Sequence, residues 1–150
     1  MTAETTSTAV TQALAVVLAD SYALQLKTQN YHWNVTGPHF GSLHALFQEQ
    51  YTELQAAIDD IAEWMRALGA PAPGGLRAYL DITSIPDGDP AKDSRGMLAD
   101  LAQSHQTTAQ SCRTALGSAE QAGDEVTVDL MTQRLTVHEK AAWMLRSHLA

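Results

Sequence analysis

Positions that favour burial recur at three- and four-residue steps along most of this chain, the signature of amphipathic helices. Val10, Leu14, Val17, Leu18, Ser21 and Leu24 form a first stripe that runs on toward Trp33. It predicts a helix over about residues 6–35, stopped by Thr36-Gly37-Pro38, with residues 1–5 as a flexible tail. A second stripe, Leu43, Leu46, Phe47, Leu54, Ile58, Ile61, Met65 and Leu68, ends at Gly69, with Arg66 in its last turn and Pro71 just beyond. Residues 70–89 are rich in Pro and Gly and read as a long connection, within which Arg77-Ala78-Tyr79-Leu80 can make a short helix. Asp89-Pro90 reads as N-cap and first residue of a third helix through Met97, Leu98, Leu101, Thr108, Cys112 and Leu116, closed by Gly123. Asp124 and Glu125 open a fourth, through Leu130, Met131, Leu135, Ala142 and Leu145. No alternating strand pattern of useful length, internal repeat or low-complexity linker interrupts this series. The expected fold is all-α: one domain over residues 1–150, a four-helix bundle with a single crossover between helices two and three.

Composition narrows the class. At 150 residues and 45% hydrophobic content the chain can bury a real core without staples. No uninterrupted run approaches the roughly 18 apolar residues of a membrane span, and the start MTAETTSTAV lacks the basic and apolar regions of a signal peptide. A cytoplasmic protein with no membrane contact is expected. Cys112 is the one cysteine, which excludes an intrachain disulfide and a cysteine-based zinc cage; on its helical stripe it reads as a buried thiol. The net charge is −8, the first basic residue is Lys27, and the chain stops at Arg146-Ser147-His148-Leu149-Ala150 without a basic cluster. A nucleic-acid binder normally gathers Lys and Arg to neutralise phosphates. Metal cations suit this chain better.

The candidate chemistry lies in His32 and His44, then in Asp59 and Glu63, four residues apart on one helical face. Imidazole with carboxylate suits iron, zinc or manganese, although a lone histidine or acid pair on a helix is ordinarily solvated surface or a satisfied core group. Spacing sharpens the choice. His44 and Asp59 are 15 residues apart on one helix, about 22 Å at the helical rise. No metal pair about 3.5–4 Å apart bridges that span, so a shared site needs histidines from one subunit and acids from another. Two antiparallel copies of the second helix about a two-fold axis would make two such sites. The alternative inside one bundle uses Glu-x-x-His pairs, and none of the six histidines has Glu three residues before it. His138-Glu139 starts like a zinc-protease helix but lacks the second histidine, and no phosphate loop, dinucleotide fingerprint or nucleophile elbow occurs.

Three segments, Tyr31-His32-Trp33-Asn34-Val35-Thr36-Gly37-Pro38, Leu43-His44-Ala45-Leu46-Phe47 and Ile58-Asp59-Asp60-Ile61-Ala62-Glu63, resemble the Dps family of ferritin-like miniferritins. So does His138-Glu139-Lys140-Ala141-Ala142-Trp143-Met144-Leu145-Arg146, and the similarity spans essentially the whole chain. The resemblance implies a dodecameric shell that oxidises ferrous iron, preferentially with hydrogen peroxide, at inter-subunit ferroxidase sites, and stores a ferric mineral against oxidative stress. It implies His32 and His44 as metal ligands from one subunit and Asp59 and Glu63 from the two-fold partner, with iron as the metal and zinc as a substitute. Where the family usually has Asp or Glu four residues after the second histidine, this chain has Gln48; Glu49 points about 100° away. One firm and one weak metal position are therefore expected. Trp33 reads first as core packing, then as a cover for the site or a trap for oxidising equivalents. His39 falls in a turn, and Asp124 and Asp129 resemble pore-lining acids or, equally for Asp124, a helix cap. Twelve copies at −8 would carry about −96, which opposes specific DNA binding. The competing readings are a non-catalytic metal-sequestering shell and a nucleoid-associated DNA-protecting protein.

Overall fold

The computed structural model describes residues 2–150, and among them every regular element is helical. Five helices follow in order: α1 (Ala3–Asn34), α2 (Phe40–Ala67), α3 (Leu76–Ile82), α4 (Ser94–Ala122) and α5 (Glu125–Ser147). The four long helices are those the stripes predicted, and α3 is the short helix expected in the crossover. α1 packs along α2 and α4, α4 along α5, and α3 against α1. Gly69 and Gly123 take positive φ at the ends of α2 and α4, where an L side chain would be strained.

Two helix starts differ from expectation, each because a nearer cap wins. α1 begins at Ala3, since the Thr2 hydroxyl accepts from the Thr5 amide; the tail expected over 1–5 is thus helical from residue 3, and Met1 lies outside the described residues. α4 begins at Ser94 because Asp93 Oδ1 accepts from the Gly96 amide at 2.7 Å. Asp89, the expected cap, instead accepts from Ala91 N at 2.9 Å within a turn.

The interior has two apolar ends and a polar waist. Leu24, Tyr31, Leu43, Phe47, Leu54, Met97, Leu101 and Leu145 fill one end. Val10, Leu14, Val17, Ile61, Met65, Cys112, Ala115 and Met131 fill the other. Between them Asp20, Ser21, Ser104, His105, Thr108, Arg134 and His138 are all buried. By length and composition α1 could cross a membrane. Its apolar positions are instead the core of this bundle, and it also buries Asp20 and Lys27 there.

The polar groups of α1 hold the crossover in place. Asp20 accepts from the Thr83 hydroxyl, the Ser84 amide and the Ser111 hydroxyl at 2.7, 3.0 and 2.6 Å. The fully buried Lys27 ammonium donates to Asp100 at 3.1 Å and to the Ser104 hydroxyl at 3.0 Å. Tyr31 donates to Asp100 and accepts from Asp89 N, while Gly88 lies so close that a Cβ there would sit 3.1 Å from the Tyr31 ring. Burial, then the Asp100 bond, raises the Tyr31 phenol far above its ordinary pKa. This lashing matters because it fixes the C-terminal turns of α1, where His32 sits. Cys112 is buried as expected, and burial pushes its thiol up to about 12, so it is inert at neutral pH.

Candidate metal centre

His32 at the end of α1 and His44 at the start of α2 come together across the turn 35–39. Their rings stack with centroids 3.8 Å apart and planes 15° from parallel. Each Nδ1 lies 2.7 Å from the other residue's backbone carbonyl, His32 to His44 O and His44 to His32 O. A carbonyl only accepts, so both Nδ1 atoms carry a proton, and in the neutral rings both Nε2 atoms keep an unshared lone pair. Donation of the far N–H to a carbonyl is also the usual means of aiming a metal-ligating imidazole. The Tyr51 ring packs edge-on against His32 at 5.2 Å and Phe40 stacks on His44 at 5.0 Å, which restrains both rings. Neither Nε2 has a hydrogen-bond partner among the described residues.

The two expected acids stand elsewhere. Asp59 and Glu63 are exposed on the C-terminal half of α2, with no ion pair or side-chain hydrogen bond among the described residues. Among the described residues no three metal-ligating side chains converge. The chain therefore pairs the histidines and pairs the acids, and it does not join the pairs. Gln48 is exposed one turn after His44, on the α2 face that also carries Asp59.

Large apolar side chains are exposed on the outer surface of α1 and α3. Trp33, expected in the core, is 66% exposed, because one step along the helix from buried His32 turns its side chain outward. Leu76 and Leu80 of α3 are 73% and 71% exposed and share a groove with Leu26 of α1. His39 is exposed at the N-cap position of α2 without a capping bond, in line with its turn position. Asp124 caps α5 through the Thr127 amide at 3.0 Å, and Asp129 is exposed beside Gln133.

A second histidine pair was not singled out in the sequence. His105 of α4 and His138 of α5 lie in the polar waist with their Nδ1 atoms 2.9 Å apart. Burial lowers both; His105 falls to about 3, with the Arg134 charge as the lesser cause, and His138 falls well below the usual range. Arg134 in turn pairs with Glu53 of α2 and approaches His138 Nε2 at 3.4 Å. A signal was available: His105 sits on the stripe of Leu98, Leu101, Thr108 and Cys112, where a polar residue must be buried.

Residues 11–150 match the ferritin-like domain family. The chain is 40% identical over 135 residues to a low temperature-induced protein of Nostoc sp., covering 88% of this chain and 75% of that one. It is 35% identical over 140 residues to DNA protection during starvation protein 2 of Bacillus anthracis, covering 93% and 96%. The solved Dps structure from Vibrio cholerae, described as a member of the ferritin-like diiron-carboxylate superfamily, superposes with a TM-score of 0.93 at 34% identity, covering 97% of this chain and 92% of that one.

Proposed function

Since the chain belongs to the Dps branch of the ferritin-like proteins, we propose that it oxidises ferrous iron at sites shared between two copies and stores the ferric product inside a closed shell. The observation that carries this reading is the reciprocal Nδ1–carbonyl bonding of His32 and His44, which leaves two neighbouring Nε2 atoms without a partner among the described residues. Two imidazoles alone hold ferrous iron weakly; Asp59 and Glu63 of a second copy would supply the charge. α2 carries the histidine and Gln48 toward one end and the acids toward the other. An antiparallel two-fold pairing of α2 with itself therefore sets histidines against acids twice. The exposed Trp33, Leu76 and Leu80 are apolar surface that such a contact would cover.

Mixed imidazole and carboxylate ligation admits Fe²⁺, and oxidation yields Fe³⁺, a harder ion drawn to oxygen ligands and hence to a mineral. With peroxide as oxidant, two Fe²⁺ each give one electron, the O–O bond breaks, and two protons complete two waters. Pairing the electrons at one site avoids release of a hydroxyl radical. Gln48 supplies a neutral amide where a carboxylate would offset a second cation, so the second iron position is the weaker one. The reading that Gln48 favours instead is a non-catalytic shell holding one metal per site. Following peroxide-dependent oxidation of added Fe²⁺ separates the two. The ferroxidase reading expects acceleration over buffer, two irons consumed per peroxide, and loss of at least tenfold in His44→Ala. One metal bound without acceleration would establish the sequestering shell instead.

The cytoplasm is the proposed compartment, and DNA is not a proposed partner. Of nine Lys and Arg, Lys27 and Arg134 are buried in ion pairs and Arg113 is paired with Glu139. Few basic groups remain to neutralise phosphates, against seventeen Asp and Glu. Gel mobility of duplex DNA without added Mg²⁺ is expected to be unchanged by the assembled protein; a tight complex there would overturn this point.

A further inference from the structure

The proton positions in the buried pair follow from its neighbours. Arg134 offers only N–H donors, and its Nη2 approaches His138 Nε2 at 3.4 Å, so that nitrogen is the acceptor. Neutral His138 then carries its proton on Nδ1 and donates it to His105 Nδ1 at 2.9 Å. His105, neutral as well, must hold its own proton on Nε2. A directed chain results, from Arg134 through His138 to His105, and it ends on an N–H with no acceptor among the described residues. His105 is 2% exposed and its Nε2 is fully buried. Gln50 of α2, 9% exposed, likewise has neither its amide oxygen nor its amide nitrogen paired. Both residues line one recess of about 260 Å³ between α2, α4 and α5, together with Glu53, Val137, Lys140 and Met144.

The His105 Nε2–H and both ends of the Gln50 amide are left unpartnered there, although the Glu49 and Glu53 carboxylates also line the recess. A buried donor left alone costs roughly 1–3 kcal/mol, which is why native proteins fill such places. We propose that the recess is a binding site for a small hydrogen-bond acceptor, either water or a small anion in its place, held between His105 Nε2–H and the Gln50 amide. Volume permits it, since one water takes about 30 Å³. At the His105 end a cation is disfavoured, because His105 presents a proton there; of the two carboxylates on the lining, Glu53 is paired with Arg134, and Lys140 offsets the charge of Glu49. The two histidine pairs thus have opposite polarity: neutral His32 and His44 leave Nε2 lone pairs free, whereas the His105–His138 pair ends on an Nε2 proton.

The test uses the intact assembled protein, crystallised at neutral pH in one buffer with bromide and one without halide. An ordered oxygen-sized peak within hydrogen-bond distance of His105 Nε2 and the Gln50 amide, in both buffers, identifies water. A bromine anomalous peak at that point identifies a small anion, and either result supports the site. Solid-state ¹⁵N spectra of histidine-labelled protein are expected to show His105 protonated on Nε2 and His138 on Nδ1. A recess without density, a direct bond from His105 Nε2 to a protein oxygen, or the reverse tautomers would overturn the proposal.

Discussion

Co-expressing two inactive variants should restore about a quarter of the iron-oxidising sites, if the centre is shared as proposed. One variant carries His32→Ala and His44→Ala; the other carries Asp59→Ala and Glu63→Ala. Each alone forms symmetric dimers in which both sites lack either histidines or acids. In a mixed dimer one site lacks everything, while the other receives histidines from the acid variant and acids from the histidine variant. Random pairing makes about half the dimers mixed, and half of their sites are whole. The four residues are exposed or at the chain surface, except His32, so folding of the acid variant is not at risk. A shell containing only single-variant chains is the baseline, and the wild-type shell fixes the full rate. An intrachain centre could not be rebuilt this way, because every chain in the mixture lacks part of it. Activity from mixed shells no higher than from the separate variants would therefore remove the two-chain site, even if wild-type protein oxidised iron well.

How much of this could be read from residues alone differs between backbone, core and site. The four long helices were legible because their apolar stripes are long and their stops use Gly37-Pro38, Gly69 and Gly123. Their starts were less so, since Asp89 and Asp93 are both competent caps and only tertiary position chooses between them. The histidine-acid division was legible from helical rise, which needs no coordinates. The crossed carbonyl bonds of His32 and His44 were not, because they depend on how the turn 35–39 brings two helices together. Trp33 misled for a similar reason: a large aromatic beside a buried residue suggests core, yet 100° of helical rotation puts it outside. The polar waist was hidden most thoroughly. Asp20 and Lys27, His105, and Arg134 with His138 come from three different helices, and no sequence spacing links one helix's members to another's.

That waist has a consequence large enough to dominate the response to acid. In an unfolded chain histidine takes up a proton near pH 6.5, whereas folded His105 resists until about pH 3. His138 is lowered in the same direction by burial first, then by its neighbours. Above pH 6.5 both states are neutral at these positions and folding stability is unaffected by them. As pH falls below that value the unfolded chain binds protons that the folded chain refuses, so stability drops. By pH 3 His105 alone accounts for on the order of 5 kcal/mol, comparable with the whole stability of an ordinary domain. Charging the pair inside the fold offers no escape, since Arg134 faces His138, Glu53 is already paired with that arginine, and Glu139 is paired with Arg113. Thermal melts of the assembled protein should thus show a midpoint that falls steeply between about pH 6.5 and pH 4. The double substitution His105→Leu, His138→Leu should flatten that fall, whatever it does to the midpoint at pH 7. Surface carboxylates contribute equally to both proteins, so the difference in slope belongs to the pair. Should the double variant fail to fold, ¹⁵N titration of the native histidines reads the same quantity directly. Protonation of either ring in the folded protein near pH 6 would refute the account.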